Sequence, residues 1–333
     1  MTEFLDSCYE VIKVQERSIA DTINSVDLMN VSDITEKQQI VLIGAGDSYA
    51  VSEYGKWLFR AIGLNAISLS PPEVIHVPMD SDTVVIGVTA SGRSLSTLDA
   101  LQKTRAKGAK TIVLTDDPEG KASEETSNLW VTKAGVDSYN ISPASPTTTA
   151  MAYLLTIAAE IDSKLQEDLQ SDIKQLAKIG KNMLEWAERE GKIIARLVAP
   201  GPPLYMVSDG PNHVAAQIGM MKFNEFAVVK GFAALREDFC HHQNLSIDDG
   251  DQALLVSGKK EPDDERYMKV LTEVLNMQAH HIYVPEEFGL KTALAQTIPN
   301  SIALQMGAHF TVRRYNPKME WFRMPHAKAF RIY

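Results

Sequence analysis

Three short segments carry residue types and spacings that could do chemistry. The first is Thr89-Ala90-Ser91-Gly92-Arg93-Ser94, which follows the apolar run TVVIGV at 83–88. Thr89, Ser91 and Ser94 offer hydroxyl donors, and Gly92 lets the backbone approach a bound group closely. The N–H groups of a helix opening at Ser94 attract an anion. A phosphate satisfies all three features; a serine that only caps the helix is the plainer alternative. The second segment is Gly44-Ala45-Gly46-Asp47-Ser48, at the end of QQIVLIGAG (38–46). Its glycines permit a tight turn. Tyr49 occupies the third glycine position of the dinucleotide fingerprint, which argues against that ligand. Asp47 reads most simply as a cap, while Asp47 or Ser48 could bond a sugar hydroxyl.

The third segment pairs Lys222-Phe223-Asn224-Glu225 with Arg236 to Asn244, which contains His241 and His242. Glu225 falls on a helix whose other face is apolar (Ile218, Met221, Val228). A carboxylate base and an imidazole acid/base are what enolisation beside a carbonyl needs. A solvated glutamate and a structural histidine are the commoner fates of such residues taken singly. Cys240 adjoins the two histidines, but no second cluster shows ligand spacing, so no metal is expected. No other cofactor is implied.

Alternating strands and helices must position these segments. A helix is expected over 3–27, then strands at 38–46, 66–70, 83–88, 110–116 and 129–133. Helices are expected at 48–63, 94–108 and from about 147 towards 197. APGPP (199–203) reads as a linker. The alternation then restarts, with strands at 203–210, 251–258 and 281–287 and helices at 212–228, 263–278 and 291–313. The strands are continuously apolar, the mark of a parallel sheet covered by helices on both faces. The expected organisation is an N-terminal helix (1–28) and two α/β domains, 29–197 and 204–333, which look like a degenerate repeat. Ligands of such sheets bind at the carboxyl ends of strands.

Composition narrows the partners. The chain of 333 residues has a net charge of −10, which opposes nucleic-acid binding. The N-terminus is charged and lacks a secretory apolar core, and no stretch is long enough to span a bilayer, so a cytoplasmic protein is expected. Two cysteines make a disulfide framework unexpected.

The chain resembles the SIS (sugar isomerase) family over nearly its whole length. GAGDS at 44–48 is similar to that family's G-x-G-[ST]-S turn, with Asp47 in place of Ser or Thr. TASGRS is similar to its S-x-S-G-x-[ST] loop, with Thr89 and Ala90 in place of Ser-Gln. The resemblance implies two tandem SIS domains, each a three-layer α/β/α unit. It implies that residues 89–94 grip a sugar 6-phosphate. Gly46, Asp47, Ser48, and Ser145 and Thr147 of SPASPTTTA (142–150) would then contact the sugar. A Glu in K-x-x-E with a His 16 residues on selects Glu225 and His241, with His242 as the alternative, and Lys328 would close the site. The implied activity is aldose–ketose isomerisation of a hexose or hexosamine 6-phosphate. Glucosamine-6-phosphate deamination and a non-catalytic sugar-phosphate sensor are the rivals. No glutaminase domain is seen in the sequence. A homodimer with a shared active site is the implied assembly.

Overall fold

The computed structural model describes residues 2–126, 128–136, 141, 142, 144–323, 326, 329 and 330. The chain falls into two compact units. One is built on Val14–Gly180; the other joins Met1–Lys13 to Lys181–Ala329.

The N-terminal segment forms two helices where the sequence reads one. Helix α1 (Glu3–Lys13) and helix α2 (Gln15–Ser25) meet at Val14. Each buries its own apolar stripe in a different unit. α1 presents Phe4, Leu5, Cys8, Val11 and Ile12; α2 presents Ile19 and Ile23 with the polar Gln15, Ser18 and Thr22.

The first unit continues with α3 (Ser32–Thr35), β1 (Gln39–Ile43), α4 (Asp47–Ala61), β2 (Ala66–Leu69) and β3 (Thr83–Val88). It closes with α5 (Leu95–Ala106), β4 (Lys110–Thr115), β5 (Asn128–Val131), α6 (Ser145–Ala159) and α7 (Gln166–Leu176). All five strands are parallel, in the order β2-β1-β3-β4-β5. β3 is buried at every residue, as its unbroken apolar run requires of a sheet covered on both faces. Val41, Ile43, Val85 and Val113 pack with Ala100 and Leu101 of α5 on one of those faces.

The second unit holds α8 (Gly180–Leu197), β6 (Leu204–Ser208), α9 (Asn212–Glu225), β7 (Gly231–Leu235) and α10 (Arg236–His241). β8 (Gln252–Ser257), α11 (Pro262–Lys269), β9 (Gln278–Tyr283) and α12 (Ala293–Tyr315) complete it. Its four strands are also parallel, ordered β7-β6-β8-β9. Three readings of this half are corrected. α9 stops at Glu225 rather than 228, because Ala227 takes a left-handed backbone (φ 53°). The residues after it form β7, a strand the sequence pattern does not reveal. The helix expected over 263–278 ends as a π-turn at Val270–Val274, and β9 starts at Gln278, three residues before the expected strand at 281.

Both sheets reverse their direction of growth beside their first strand. The reversal lies between β1 and β3 in the first and between β6 and β8 in the second. Such a switch point is where open parallel sheets take ligands.

Candidate active site

The two glycine-containing loops of the first unit flank its switch point. Residues 44–46 leave β1 and residues 89–94 leave β3. Gly46 has φ 58° and is the residue before α4; that left-handed backbone suits glycine. Asp47 is therefore the first helical residue, not the cap the sequence suggests. Asp47 and Ser48 are both partly exposed at this edge.

Loop 89–94 is pinned on one side. The Thr89 N–H donates to the Leu114 carbonyl (3.0 Å). The Ala90 carbonyl accepts from the N–H groups of Asp116 and Asp117 (both 3.2 Å) and from Thr115 Oγ1 (3.0 Å). The Gly92 carbonyl accepts from the Ala122 N–H (3.0 Å), and Gly92 itself sits at φ 63°. Ser94 occupies the cap position of α5 but makes no side-chain bond to the helix backbone. Its Oγ accepts from Thr97 Oγ1 (3.1 Å) and lies 3.3 Å from Ser96 Oγ. Ser94 therefore does not cap the helix through its side chain, and among the described residues no side-chain acceptor is recorded for the first-turn N–H groups of this 12-residue helix. Arg93 is over half exposed and lies 3.8 Å from Asp117, an ion pair worth little in water.

Ser145 and Thr147 are both buried in the first turn of α6. The Ser145 hydroxyl donates to the Ala134 carbonyl (2.7 Å) and meets Ser18 Oγ at 2.8 Å. It ties α2, α6 and the segment after β5 together.

In the second unit, Glu225 is the last residue of α9. Both its carboxylate oxygens accept from Lys222 Nζ, each at 3.2 Å, and the Lys222 side chain is 2% exposed against 30% for Glu225. The preceding Asn224 fixes this helix end to the start of β7. Its side-chain amide donates to the Gly231 carbonyl (3.1 Å) and accepts from the Gly231 N–H (3.0 Å). His241 and His242 lie at the far end of α10, which leaves the other end of β7. Both are exposed. His241 Nε2 is 2.9 Å from Glu237 Oε1. Glu225 is thus anchored at the amino end of β7, while the histidines follow its carboxyl end. Lys328 lies outside the described residues. Among the described residues no three His, Cys, Asp or Glu side chains are grouped to hold a metal ion, and no helix is long and apolar enough to cross a membrane.

The SIS domain family matches residues 33–159, a span that contains both switch-point loops. A relative, the isomerizing glutamine–fructose-6-phosphate aminotransferase of Sulfolobus acidocaldarius, is 25% identical over 240 residues, which are 70% of this chain and 40% of that protein. The chain therefore spans well under two thirds of this longer relative. Among solved structures, the C-terminal domain of glucosamine-fructose-6-phosphate aminotransferase from Francisella tularensis superposes with a TM-score of 0.76 at 15% identity. The match covers 92% of this chain and 95% of that one. Tagatose-6-phosphate ketose/aldose isomerase of Escherichia coli gives 0.70 at 18% identity, covering 93% and 94%. Each match takes in both parallel sheets, so the two-sheet α/β fold is shared with them.

Within the span 33–159 matched by the SIS domain family, sequence reasoning passed over the loop after β4. Thr115, Asp117 and Gly120 touch or bond the 89–94 loop. The only local signal was a strand ending in Thr-Asp-Asp-Pro-Glu-Gly, a turn composition that does not say what the turn meets.

Proposed function

We propose that this protein is a phosphosugar isomerase acting on a hexose or hexosamine 6-phosphate. The observation that carries the reading is the uncapped α5 start behind a hydroxyl-lined loop at the switch point of a SIS domain. Ser91, Ser94 and the first-turn N–H groups of α5 bind the phosphate, and Asp47 and Ser48 bond sugar hydroxyls. That remote binding energy orients the reacting carbons. Glu225 takes the proton from C2 of the open-chain aldose as O1 gains one to give the enediol, then returns its proton to C1 as the O2 hydroxyl proton is lost to give the ketose, so no net redox change occurs. His241 or His242 assists ring opening, and Lys328 orients the open chain. No metal or nucleotide enters this scheme.

The separation of Glu225 and His241 along β7 supports a homodimer. A histidine that cannot sit beside its own chain's glutamate can serve a partner's. Mixing a Glu225→Gln chain with a His241→Asn chain should then restore part of the activity; a fully active monomer in sedimentation removes the idea.

The decisive experiment is a substrate panel of glucose, mannose, fructose and glucosamine 6-phosphates, assayed for ketose–aldose conversion and for ammonia. Conversion without ammonia is expected. Ammonia from glucosamine 6-phosphate would make the enzyme a deaminase. Binding without any turnover would make it a sensor. Glu225→Gln keeps an acceptor for Lys222 and removes basicity, so turnover should fall ~10²–10⁴-fold with binding retained. In D₂O the wild type should place deuterium at C1 or C2 and the Gln variant should not.

A further inference from the structure

The loop after β4 contains a glycine that its own backbone does not require. Gly120 has φ −66° and ψ 151°, a conformation open to any residue. Its missing side chain has another cause. A Cβ there would stand 2.7 Å from the Ser91 carbonyl oxygen and 2.8 Å from the Gly92 Cα, and a Cβ on Gly92 would stand 2.8 Å from the Gly120 Cα. The atoms in the way are backbone, so two main chains lie in direct contact.

The hydrogen bonds across this contact have a directional consequence. A trans peptide is planar and holds its N–H opposite its C=O. The Ala90 carbonyl shares a peptide unit with the Ser91 N–H, and the Gly92 carbonyl shares one with the Arg93 N–H. Both carbonyls are drawn towards the β4 loop, the first by Thr115, Asp116 and Asp117 and the second by Ala122. The N–H groups of Ser91 and Arg93 must therefore face away from it. Neither has a backbone acceptor among the described residues. The intervening Gly92 N–H donates to the Thr89 carbonyl (3.4 Å), so the N–H groups of Ser91 and Arg93, on either side of it, are the ones turned outward. N–H groups turned to one side of a glycine turn form a concavity for an anion.

We propose that Gly120 and Thr115 are positioning residues for the phosphate loop. The β4 loop holds the carbonyls of residues 90 and 92 so that the N–H groups of residues 91 and 93 are turned to the phosphate. The proposal rests on the reading of 89–94 as a phosphate site. It adds two residues, neither in contact with the ligand, that set affinity for the phosphate group.

The test is calorimetric titration of the full chain with fructose 6-phosphate and, separately, inorganic phosphate, with melting temperature measured alongside. Gly120→Ala should weaken fructose 6-phosphate binding at least tenfold and raise KM while kcat at saturation stays within twofold. Thr115→Val, which loses the bond to Ala90, should weaken binding several-fold, and Thr115→Ser should restore it. The Thr115 pair carries the test should Gly120→Ala fail to fold. Wild-type affinity in Gly120→Ala or in Thr115→Val, whatever the melting temperature, overturns the proposal alone. A wild-type protein that binds neither probe removes the phosphate reading, and the proposal with it.

Discussion

The two sheets reverse direction at corresponding places, yet the two switch points are filled by different means. In the first, the loops after β1 and β3 present glycines with left-handed backbones, hydroxyls and uncapped N–H groups. In the second, Gly210 after β6 is likewise left-handed (φ 53°) and α9 likewise starts without a side-chain cap, but side chains bridge the ends of β6 and β8. Asn300 of α12, fully buried, donates through one amide nitrogen to Asn212 Oδ1 and to the Ser257 carbonyl, both at 2.8 Å, stitching the start of α9 to the end of β8. Gln296 lies against Gly258, where a Cβ would collide with its amide oxygen. Nearby, Arg236 forms an ion pair with Asp209 (2.8 Å) and donates to the buried Asp264 (2.8 Å), and His281 Nε2 lies 3.3 Å from Asp264 and 3.1 Å from Ser257 Oγ. Both His281 contacts fall on one ring nitrogen, so this is no proton relay. Shared topology thus offers two places for a ligand. Whether one is used depends on whether polar groups are left facing outward or are spent on each other.

The widest gap between the two switch points should appear in ligand binding. Ser91→Ala with Ser94→Ala removes two hydroxyl donors from a charged ligand, each worth about 1.5–3 kcal/mol. Affinity for a hexose 6-phosphate should fall at least tenfold with the fold intact. The matched change in the second unit, Ser257→Ala, should leave that affinity untouched. Calorimetry on both variants decides it: equal losses would mean that the comparison has no functional content.

Much of this contrast was readable from sequence, for a physical reason. The features proposed for the loops after β1 and β3 are residue type and local backbone, so GAGDS and TASGRS are each visible in one short window of sequence. The second switch point is built from Asn212, Ser257, Gln296 and Asn300, which come from three separate segments, and no window of sequence contains them together. Gly120 is legible only as a turn residue because its reason is Ser91, far off along the chain. β7 was missed because GFAAL is short, glycine-led and runs on from an apolar helix end. Ser145 shows the ambiguity of residue type, since a small hydroxylated residue near a helix start serves equally well as an interior tie. The split of the N-terminal helix at Val14 has no signal of its own, because Val14 keeps helical angles (φ −59°, ψ −19°).

A smaller effect should appear in stability, and in the second unit. Asp264 is fully buried and also caps α11 through the Glu261 N–H (2.8 Å). Burial alone would raise its carboxyl; the Glu261 N–H, the Arg236 guanidinium and His281 outweigh that and hold it below the usual range. A depressed carboxylate contributes stability that is present above its unfolded value near ~3.9 and lost as pH falls through the folded one. Asp264→Asn leaves Arg236 short of one partner. Breaking a buried pair costs about 3–5 kcal/mol. Arg236 is partly exposed and keeps Asp209, so the low end, about 3 kcal/mol, is expected in urea unfolding at pH 7. A loss no larger than that of an exposed ion pair would show that the polar cluster is not what holds this edge together.

The smallest effect concerns His309, a buried polar group of the second unit. It is fully buried in α12, stacked on Tyr9 at 5.2 Å and edge-on to Phe226 at 6.3 Å. Neither ring nitrogen has a hydrogen-bond partner among the described residues. Burial, and after it the charge of Arg313, pushes its pKa down to about 3. The unfolded chain binds a proton near ~6.5, so between these values the unfolded state holds more protons and stability falls as pH drops. At pH 5 the linkage amounts to about 2 kcal/mol, a figure that hardly changes for any folded value below ~4. His309→Phe keeps a ring in the aromatic slot and removes two unpaired nitrogens, so it should equal or exceed wild-type stability at pH 8. Its advantage should grow by about 2 kcal/mol at pH 5. Denaturant melts of both proteins at the two pH values measure the difference directly. If His309 is scaffold, turnover at pH 8 should also be unchanged. A variant less stable than wild type at pH 5 would mean that the imidazole has a partner worth more than its burial costs, and the second unit would then hold a polar group kept for something other than packing.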